Sequence, residues 1–227
     1  MKKILKLTLI LTIIFVLHGC INDKSTEING IAIFNKDQNY KIDYIPDKKI
    51  SLRDILEEDV TEEVAVVTKS GSVDIVSSDI FLDKNSKSVS VVSSDNNKIQ
   101  DVIGIYIAQD FHSNTDTYED IKRYLDIDKK VMVFLLDGFS FSQYKYANKN
   151  DYVSFLSRYF KNEALSVYMP VTNAGFAAMI TGQTPDTNGI HDRSYRELKV
   201  PSIFYYALKN DKKAILLEGD IKILNTE

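Results

Sequence analysis

The sequence is poor in the residues that build disulfides and imidazole metal sites. Cys20 is the only cysteine among 227 residues, so neither an intramolecular disulfide nor a cysteine-based metal cluster can form. There are three histidines, and only His112 and His191 follow the N-terminal segment. Any metal site in this chain therefore has at most two imidazoles available beyond that segment.

Clusters of basic residues are also missing. The chain has 28 Lys and Arg against 32 Asp and Glu, a net charge of −4. Without the three lysines among the first six residues, 25 basic residues face 32 acidic ones, a net charge of −7. No nucleic-acid groove is expected, because polyanion binding depends on a basic patch. Hydrophobic and charged contents of 44% and 26% are typical of a globular protein and exclude disordered and fibrous classes.

The first 19 residues have the pattern of a signal peptide. Three lysines precede an apolar run over residues 7–17, which is too short for a comfortable membrane span. The run ends in Leu17-His18-Gly19-Cys20, which resembles the lipobox of bacterial lipoproteins. That resemblance implies lipidation at Cys20 and an extracytoplasmic protein anchored to the bacterial cell membrane by lipid. The alternatives are a plain signal peptide and an uncleaved anchor.

Residues 30–113 read as a small β-rich (α+β) domain that follows a polar tether at 20–29. Short apolar runs with turn signals between them predict strands, and Ser51 and Asp54 supply cap signals for one helix. Apolar residues at helical spacing predict a linker helix within 114–130. The predicted strands include residues 64–67, 73–76, 89–92 and 103–107.

The pattern changes to that of an α/β domain over residues 131–227. Residues 131–136 form a continuous apolar run without alternation, which is typical of a strand buried on both faces of a parallel sheet. Strands alternating with helices predict such a sheet with helices on both sides. The other predicted strands are 164–169 and 213–218, and the predicted helices are 140–148, 151–161, 173–180 and 201–209.

Asp137 and Thr172 are the candidate chemical groups, because reactive side chains gather beyond the carboxyl ends of parallel strands. Asp137 follows the apolar run and offers a hard oxygen ligand, although an Asp-Gly pair is also an ordinary turn. Thr172 lies where a strand gives way to a helix, a place that suits a phosphate. Its alternative role is that of a helix N-cap.

These residues together resemble the alkaline phosphatase superfamily, specifically its type I phosphodiesterase and nucleotide pyrophosphatase branch. That resemblance implies that Asp137 is a metal ligand and that Thr172 is both a metal ligand and the nucleophile carrying a transient phosphoryl group. It implies a metal-dependent phosphoric ester hydrolase acting on a phosphate-ester small molecule. The matching segments, in order, are Phe134-Leu135-Leu136-Asp137-Gly138, Met169-Pro170-Val171-Thr172, Thr181-Gly182, Pro185 and Asn188-Gly189-Ile190.

The sequence departs from that family at three positions. Asn173 follows the nucleophile where members often have an aromatic-Pro-Asn-His sequence; it could contact phosphate, cap the helix or face solvent. Asn188 stands where the branch often has His. Arg193 stands where several members place a phosphate-contacting Asn, and it could hold a phosphate bidentately or be an exposed charge near a turn.

The metal site that the resemblance implies is incomplete in this chain. Family members use two divalent metals and take further Asp residues and three His ligands from later strands, whereas His112 and His191 match no ligand position. We therefore expect a zinc or manganese site that is incomplete, a truncated alkaline-phosphatase-like domain and an enzyme that is inactive or crippled. The alternative is a non-catalytic surface lipoprotein whose β-rich module binds a partner.

Overall fold

The computed structural model describes residues 31–35, 48–56, 60, 63–84, 88–107, 111–159, 163–218 and 223–225. The predicted signal peptide, Cys20 and the tether lie outside these described residues. Within the described ranges no helix is both long and apolar enough to cross a membrane.

The first half of the described chain forms one sheet. Its strand order is β2-β5-β6-β7-β3-β4, with β1 paired to β7 off this path. The pairs are antiparallel except β1 with β7, which is parallel. The strands are β1 (Ala32–Asn35), β2 (Ile50–Ser51), β3 (Glu63–Thr68), β4 (Val73–Ser77), β5 (Ile80–Lys84), β6 (Val89–Ser93) and β7 (Lys98–Ile107).

The core of this sheet follows from its β-branched sequence. β3 lies between β7 and β4, and every residue of β3 after Glu63 is buried. Helix α1 (Leu52–Leu56) buries Leu52 and Leu56, which lie one helical turn apart. Each fully buried side chain of this size contributes about 1.5–3 kcal/mol relative to exposure. The predicted strands and helix of this module are confirmed.

Helices dominate the second half of the described chain. They are α2 (Asp116–Asp126), α3 (Phe141–Lys149), α4 (Ser154–Ser157), α5 (Thr172–Thr181), α6 (Pro185–Asn188) and α7 (Ile203–Lys209). The predicted helices at 140–148, 173–180 and 201–209 and the linker helix are confirmed, with small shifts at their ends. The helix predicted at 151–161 is shorter, since only Ser154–Ser157 is helical.

A second core joins α2, α5 and α7. Phe176, Ala177 and Ile180 of α5 pack with Ile203 of α7, and apolar side chains of α2 cover them. The close approach of α2 requires Gly182 at the end of α5: its φ is +67°, and an added Cβ would lie 3.0 Å from the Tyr118 Cβ. The N–H of Gly182 donates to the Ala178 carbonyl and closes the helix.

The contact between α2 and α7 predicts a shifted tyrosine titration. The Tyr206 hydroxyl donates to the Asp126 carboxylate, and this bond raises the pKa of Tyr206 to about 12. The pKa of Tyr206 in the folded protein thus lies above the ordinary tyrosine pKa of about 10. The bond therefore stabilises the fold below pH 10, and this stabilisation is lost as the pH rises towards 12. We expect Asp126→Asn to return the pKa of Tyr206 towards 10 in an NMR titration of ¹³C-labelled tyrosine. A tyrosine that still titrates near pH 12 in Asp126→Asn would contradict the role of Asp126. The control variant Asp120→Asn should leave the raised pKa of Tyr206 unchanged.

The three strands predicted after residue 130 are not strands in the structure. Residues 131–136 and 213–218 have no regular secondary structure, and the 164–169 segment makes only an isolated parallel bridge, Ser113 with Leu165. Residues 131–136 and 213–218 are largely exposed instead of buried: Phe134 is 78% exposed and Leu217 is 90% exposed. A strand needs a neighbour for its backbone N–H and C=O groups, and the described residues supply none to these two runs.

The described protein therefore combines helices with a largely antiparallel sheet, an α+β arrangement. The parallel sheet expected over residues 131–227 is not formed by the described residues. The parallel pairs there are isolated bridges, Ser113 with Leu165 and Glu197 with Asn225.

Candidate functional site

Thr172 is the first residue of helix α5. Val171 precedes it in an extended conformation, and the N–H of Gly175 donates to the Val171 carbonyl as the first bond of the helix. The backbone N–H groups of the first helical turn thus face outwards at the helix start. Thr172 is not the N-cap, because Val171 occupies that position. Its hydroxyl lies beside the positive end of a ten-residue helix.

Asp137 and Thr172 are in direct contact, although 35 residues separate them in the sequence. The Thr172 Oγ1 donates to Asp137 Oδ1 across 2.9 Å. Asp137 and Gly138 also form a turn, closed by the Phe139 N–H donating to the Leu136 carbonyl at 3.3 Å. Gly138 has φ +71°, a backbone conformation that is strained for residues other than glycine. Asp137 therefore meets Thr172 from an exposed turn.

Asn173 has a structural role at the same helix start. Its side chain is 6% exposed, and its Nδ2 donates to the carbonyls of Tyr195 at 3.1 Å and Ile223 at 2.9 Å. Both amide hydrogens are used in these bonds, so phosphate binding by Asn173 would have to rely on another arrangement. These bonds hold the loops around 195 and 223 against α5.

Arg193 is exposed in the turn that follows His191. The turn is held by the N–H of Ser194, which donates to Asp192 Oδ1 at 2.7 Å. The bond from the Ser194 hydroxyl lowers the pKa of Asp192 below its ordinary value. Within the described part of the chain no contact connects Arg193 to Thr172, so the structure leaves the predicted phosphate role of Arg193 without a geometric partner.

Asn188 is a structural residue that the sequence interpretation treated only as a replacement for histidine. It is fully buried at 0% exposure. Its Nδ2 donates to the Gln183 carbonyl at 2.7 Å, and its Oδ1 accepts from the Ile190 N–H at 2.8 Å. The side chain thus closes the loop after α5. The Asn-Gly pair is the sequence signal for it, because Gly189 adopts φ +83°.

Two side chains, Asp137 and Thr172, are fewer than the ligands that the resemblance implies for its metals. Asp137 and Thr172 provide a carboxylate and a hydroxyl, whereas zinc takes four ligands and harder ions take six or more. Among the described residues no group of three or more His, Cys, Asp or Glu side chains is placed to hold a metal ion. His112 lies 3.6 Å from Asp116, and His191 packs edge-on to Tyr195. The described residues therefore do not complete the predicted site.

A polar depression of about 420 Å³ lies elsewhere, on the hairpin between β3 and β4. The Thr68 hydroxyl there contacts the hydroxyls of Ser70 at 2.8 Å and Ser72 at 2.7 Å. Neither Asp137 nor Thr172 lines this depression. The candidate pair instead lies at an open surface.

Comparison of the chain with family models, curated proteins and solved structures gave no match. The class that the structure itself defines is an α+β protein with an Asp–Thr pair at a helix start.

Proposed function

We propose that this chain carries the nucleophile half of a phosphoric ester hydrolase centre of the phosphodiesterase or phosphatase type, with Thr172 as the group that accepts phosphate. The observation that supports this is the hydrogen bond from Thr172 to Asp137 at the start of α5. An unassisted threonine is a poor nucleophile, and a carboxylate in hydrogen-bond contact gives its proton a destination. The outward N–H groups of the helix start favour a negatively charged phosphate.

The proposed first step transfers a phosphoryl group to the protein. The Thr172 Oγ1 attacks phosphorus and its proton passes to Asp137, while the bond from phosphorus to the ester oxygen breaks and the alcohol leaves with a proton from solvent. Water then hydrolyses the phosphothreonine, which releases phosphate or a phosphomonoester and restores the hydroxyl. Asp137 loses its acquired proton to solvent, so atoms and charges balance.

The divalent metal, zinc or manganese, remains part of the proposal. When bound, such an ion lowers the pKa of a ligated hydroxyl and neutralises phosphate charge. The described residues offer Asp137 and Thr172 towards it, and the remaining ligands would have to come from elsewhere. We accordingly expect weak activity from this chain by itself.

The finer fold belongs to the same proposal. The two exposed apolar runs, residues 131–136 and 213–218, have the composition of strands buried on both faces. We propose that they join an alkaline-phosphatase-like parallel sheet when neighbouring strands are present. Lipidation at Cys20 and anchorage at the bacterial cell surface are also proposed; an unmodified Cys20 in protein taken from the membrane fraction would contradict that part.

The direct test is to trap the phosphorylated protein. The full chain is incubated with bis-p-nitrophenyl phosphate and added Zn²⁺ or Mn²⁺, quenched in acid, and digested for mass spectrometry. We expect a p-nitrophenylphosphoryl group on Thr172 in the wild-type chain, at a level that falls with EDTA, because only one of the two ester bonds breaks in the first step. The same adduct on other hydroxyls with none on Thr172 would refute the nucleophile assignment.

The second candidate is a non-catalytic surface lipoprotein, favoured by the incomplete ligand set among the described residues. In that case the α-helical part is a scaffold and the β-rich module binds a partner. Elemental analysis of the purified chain separates the two proposals. Stoichiometric bound metal argues against the non-catalytic function, whereas a metal-free chain that forms no phosphothreonine supports it.

A further inference from the structure

The hairpin between β3 and β4 touches the segment that leads to Thr172. Gly71 at its tip is buried and has φ +95°. A Cβ added there would lie 2.6 Å from the Tyr168 carbonyl oxygen and 2.9 Å from the Pro185 ring carbons. Only a glycine allows this approach, because the nearest obstacle is backbone and cannot move aside like a side chain.

Four further hydrogen bonds hold other residues of the same segment. The Tyr106 hydroxyl at the end of β7 donates to Glu163 at 3.3 Å. The Leu165 N–H donates to the His112 carbonyl at 2.8 Å, and the Leu165 carbonyl accepts from the Asn114 N–H at 3.0 Å. The Asn114 side chain then reaches the Gly175 carbonyl at 3.4 Å, within the first turns of α5.

Within the described ranges, fewer bonds hold the segment that carries Asp137. Side chains 132–140 are all exposed, and the turn bond from Phe139 to Leu136 is the only backbone hydrogen bond of residues 131–139 among the described residues. The described bonds therefore hold the Thr172 segment more closely than the Asp137 segment.

From this asymmetry we infer that the β-rich module, together with residues 111–114, is a positioning device for Thr172, and that Gly71 is its key positioning residue. The module contacts Glu163 and Tyr168, and residues 111–114 contact Leu165 and Gly175. These four positions extend along the chain from nine residues before Thr172 to three residues after it. A group held before the substrate arrives needs no reorganisation during reaction. The effect on hydrolysis rests on the proposed function, whereas the positioning itself does not.

The test compares Gly71→Ala with Gly189→Ala in the full chain. Both glycines have positive φ, +95° and +83°, so both variants carry similar backbone strain. They differ in what the new Cβ meets: backbone of the Thr172 segment at Gly71, and the flexible Lys199 side chain, 2.7–2.9 Å away, at Gly189. Amide hydrogen exchange at Leu165 and Gly175 reports the segment, and amides of β5 and β6 report the sheet.

We expect Gly71→Ala to speed exchange at Leu165 and Gly175 by on the order of tenfold or more, with β5 and β6 unchanged. Gly189→Ala should leave Leu165 unaffected. In turnover of bis-p-nitrophenyl phosphate, Gly71→Ala should lower kcat/KM, because it displaces the nucleophile together with the phosphate-binding N–H groups of the helix start.

The outcomes separate this inference from the proposed function. If Thr172 never becomes phosphorylated, the proposed function fails while the exchange data still decide the positioning role. Wild-type exchange at Leu165 and Gly175 in Gly71→Ala overturns the positioning role whatever the activity. If Gly71→Ala unfolds the sheet as well, Tyr106→Phe decides, since it removes the hydroxyl that donates to Glu163 and keeps the ring. The rate of amide hydrogen exchange at Leu165 should then rise at least about twofold. An unchanged rate overturns the positioning role.

Discussion

Replacing Thr172 by alanine should reduce metal-dependent release of p-nitrophenol from bis-p-nitrophenyl phosphate by on the order of 100-fold or more, to the level without protein. The reason is that alanine removes the oxygen that would accept phosphorus and also the donor to Asp137. Thr172→Ser keeps a hydroxyl at the helix start and should retain activity within about tenfold of wild type. Initial rates at several substrate concentrations, with and without EDTA, give the comparison.

Thr187→Ala is the matched control, because Thr187 is an exposed threonine in α6 away from the pair. It should leave the rate unchanged. Asp137→Asn should lower the rate, since an amide is a much weaker proton acceptor and metal ligand than a carboxylate. Activity that persists in Thr172→Ala would remove the basis of the proposed function.

Replacing Asn188 by alanine should lower the free energy of unfolding by about 2–4 kcal/mol, measured by urea denaturation. The side chain is completely buried, so its loss leaves the buried Ile190 N–H without its partner and removes the part-buried bond to the Gln183 carbonyl. An unpaired buried group costs about 1–3 kcal/mol, and the loss of the second bond adds about 1 kcal/mol.

Asn150→Ala provides the comparison. Asn150 Nδ2 also donates to a backbone carbonyl, that of Tyr146, at 2.8 Å, but the bond is exposed and water can replace it. Its loss should cost less than about 1 kcal/mol. Equal destabilisation by the two variants would mean that burial is not what makes Asn188 important. Asn188→His should also destabilise the loop, since the imidazole cannot reproduce both bonds in that space.

The sequence was sufficient for elements whose stabilising partners are nearby in the chain. The strands of the β-rich module follow from β-branched runs separated by turns, and some antiparallel neighbours are close in sequence, as β3 and β4 are. Helix α3 follows from its Ser140–Gln143 capping box, in which each residue satisfies the backbone of the other. Local signals of this kind require no knowledge of the rest of the molecule.

The parallel sheet could not be predicted in the same way. Residues 131–136 and 213–218 have strand composition, but a parallel strand needs a partner brought from a distant part of the chain. Among the described residues that partner is missing, and Phe134 and Leu217 remain largely exposed. The apolar pattern indicates that a segment is suited to burial in a sheet. Whether the strand forms depends on a neighbouring strand that can pair with it.

By itself the sequence determined the candidate residues Asp137 and Thr172 and the helices that follow them, because capping, turn and helix signals act over a few residues. Only the tertiary structure decided that these two side chains meet at 2.9 Å, that Asn173 and Asn188 hold loops, and that Gly71 of the β-rich module lies against the Thr172 segment. Such contacts depend on how separate cores pack against each other. That packing is set by many weak interactions between residues far apart in the chain, and no short pattern encodes it.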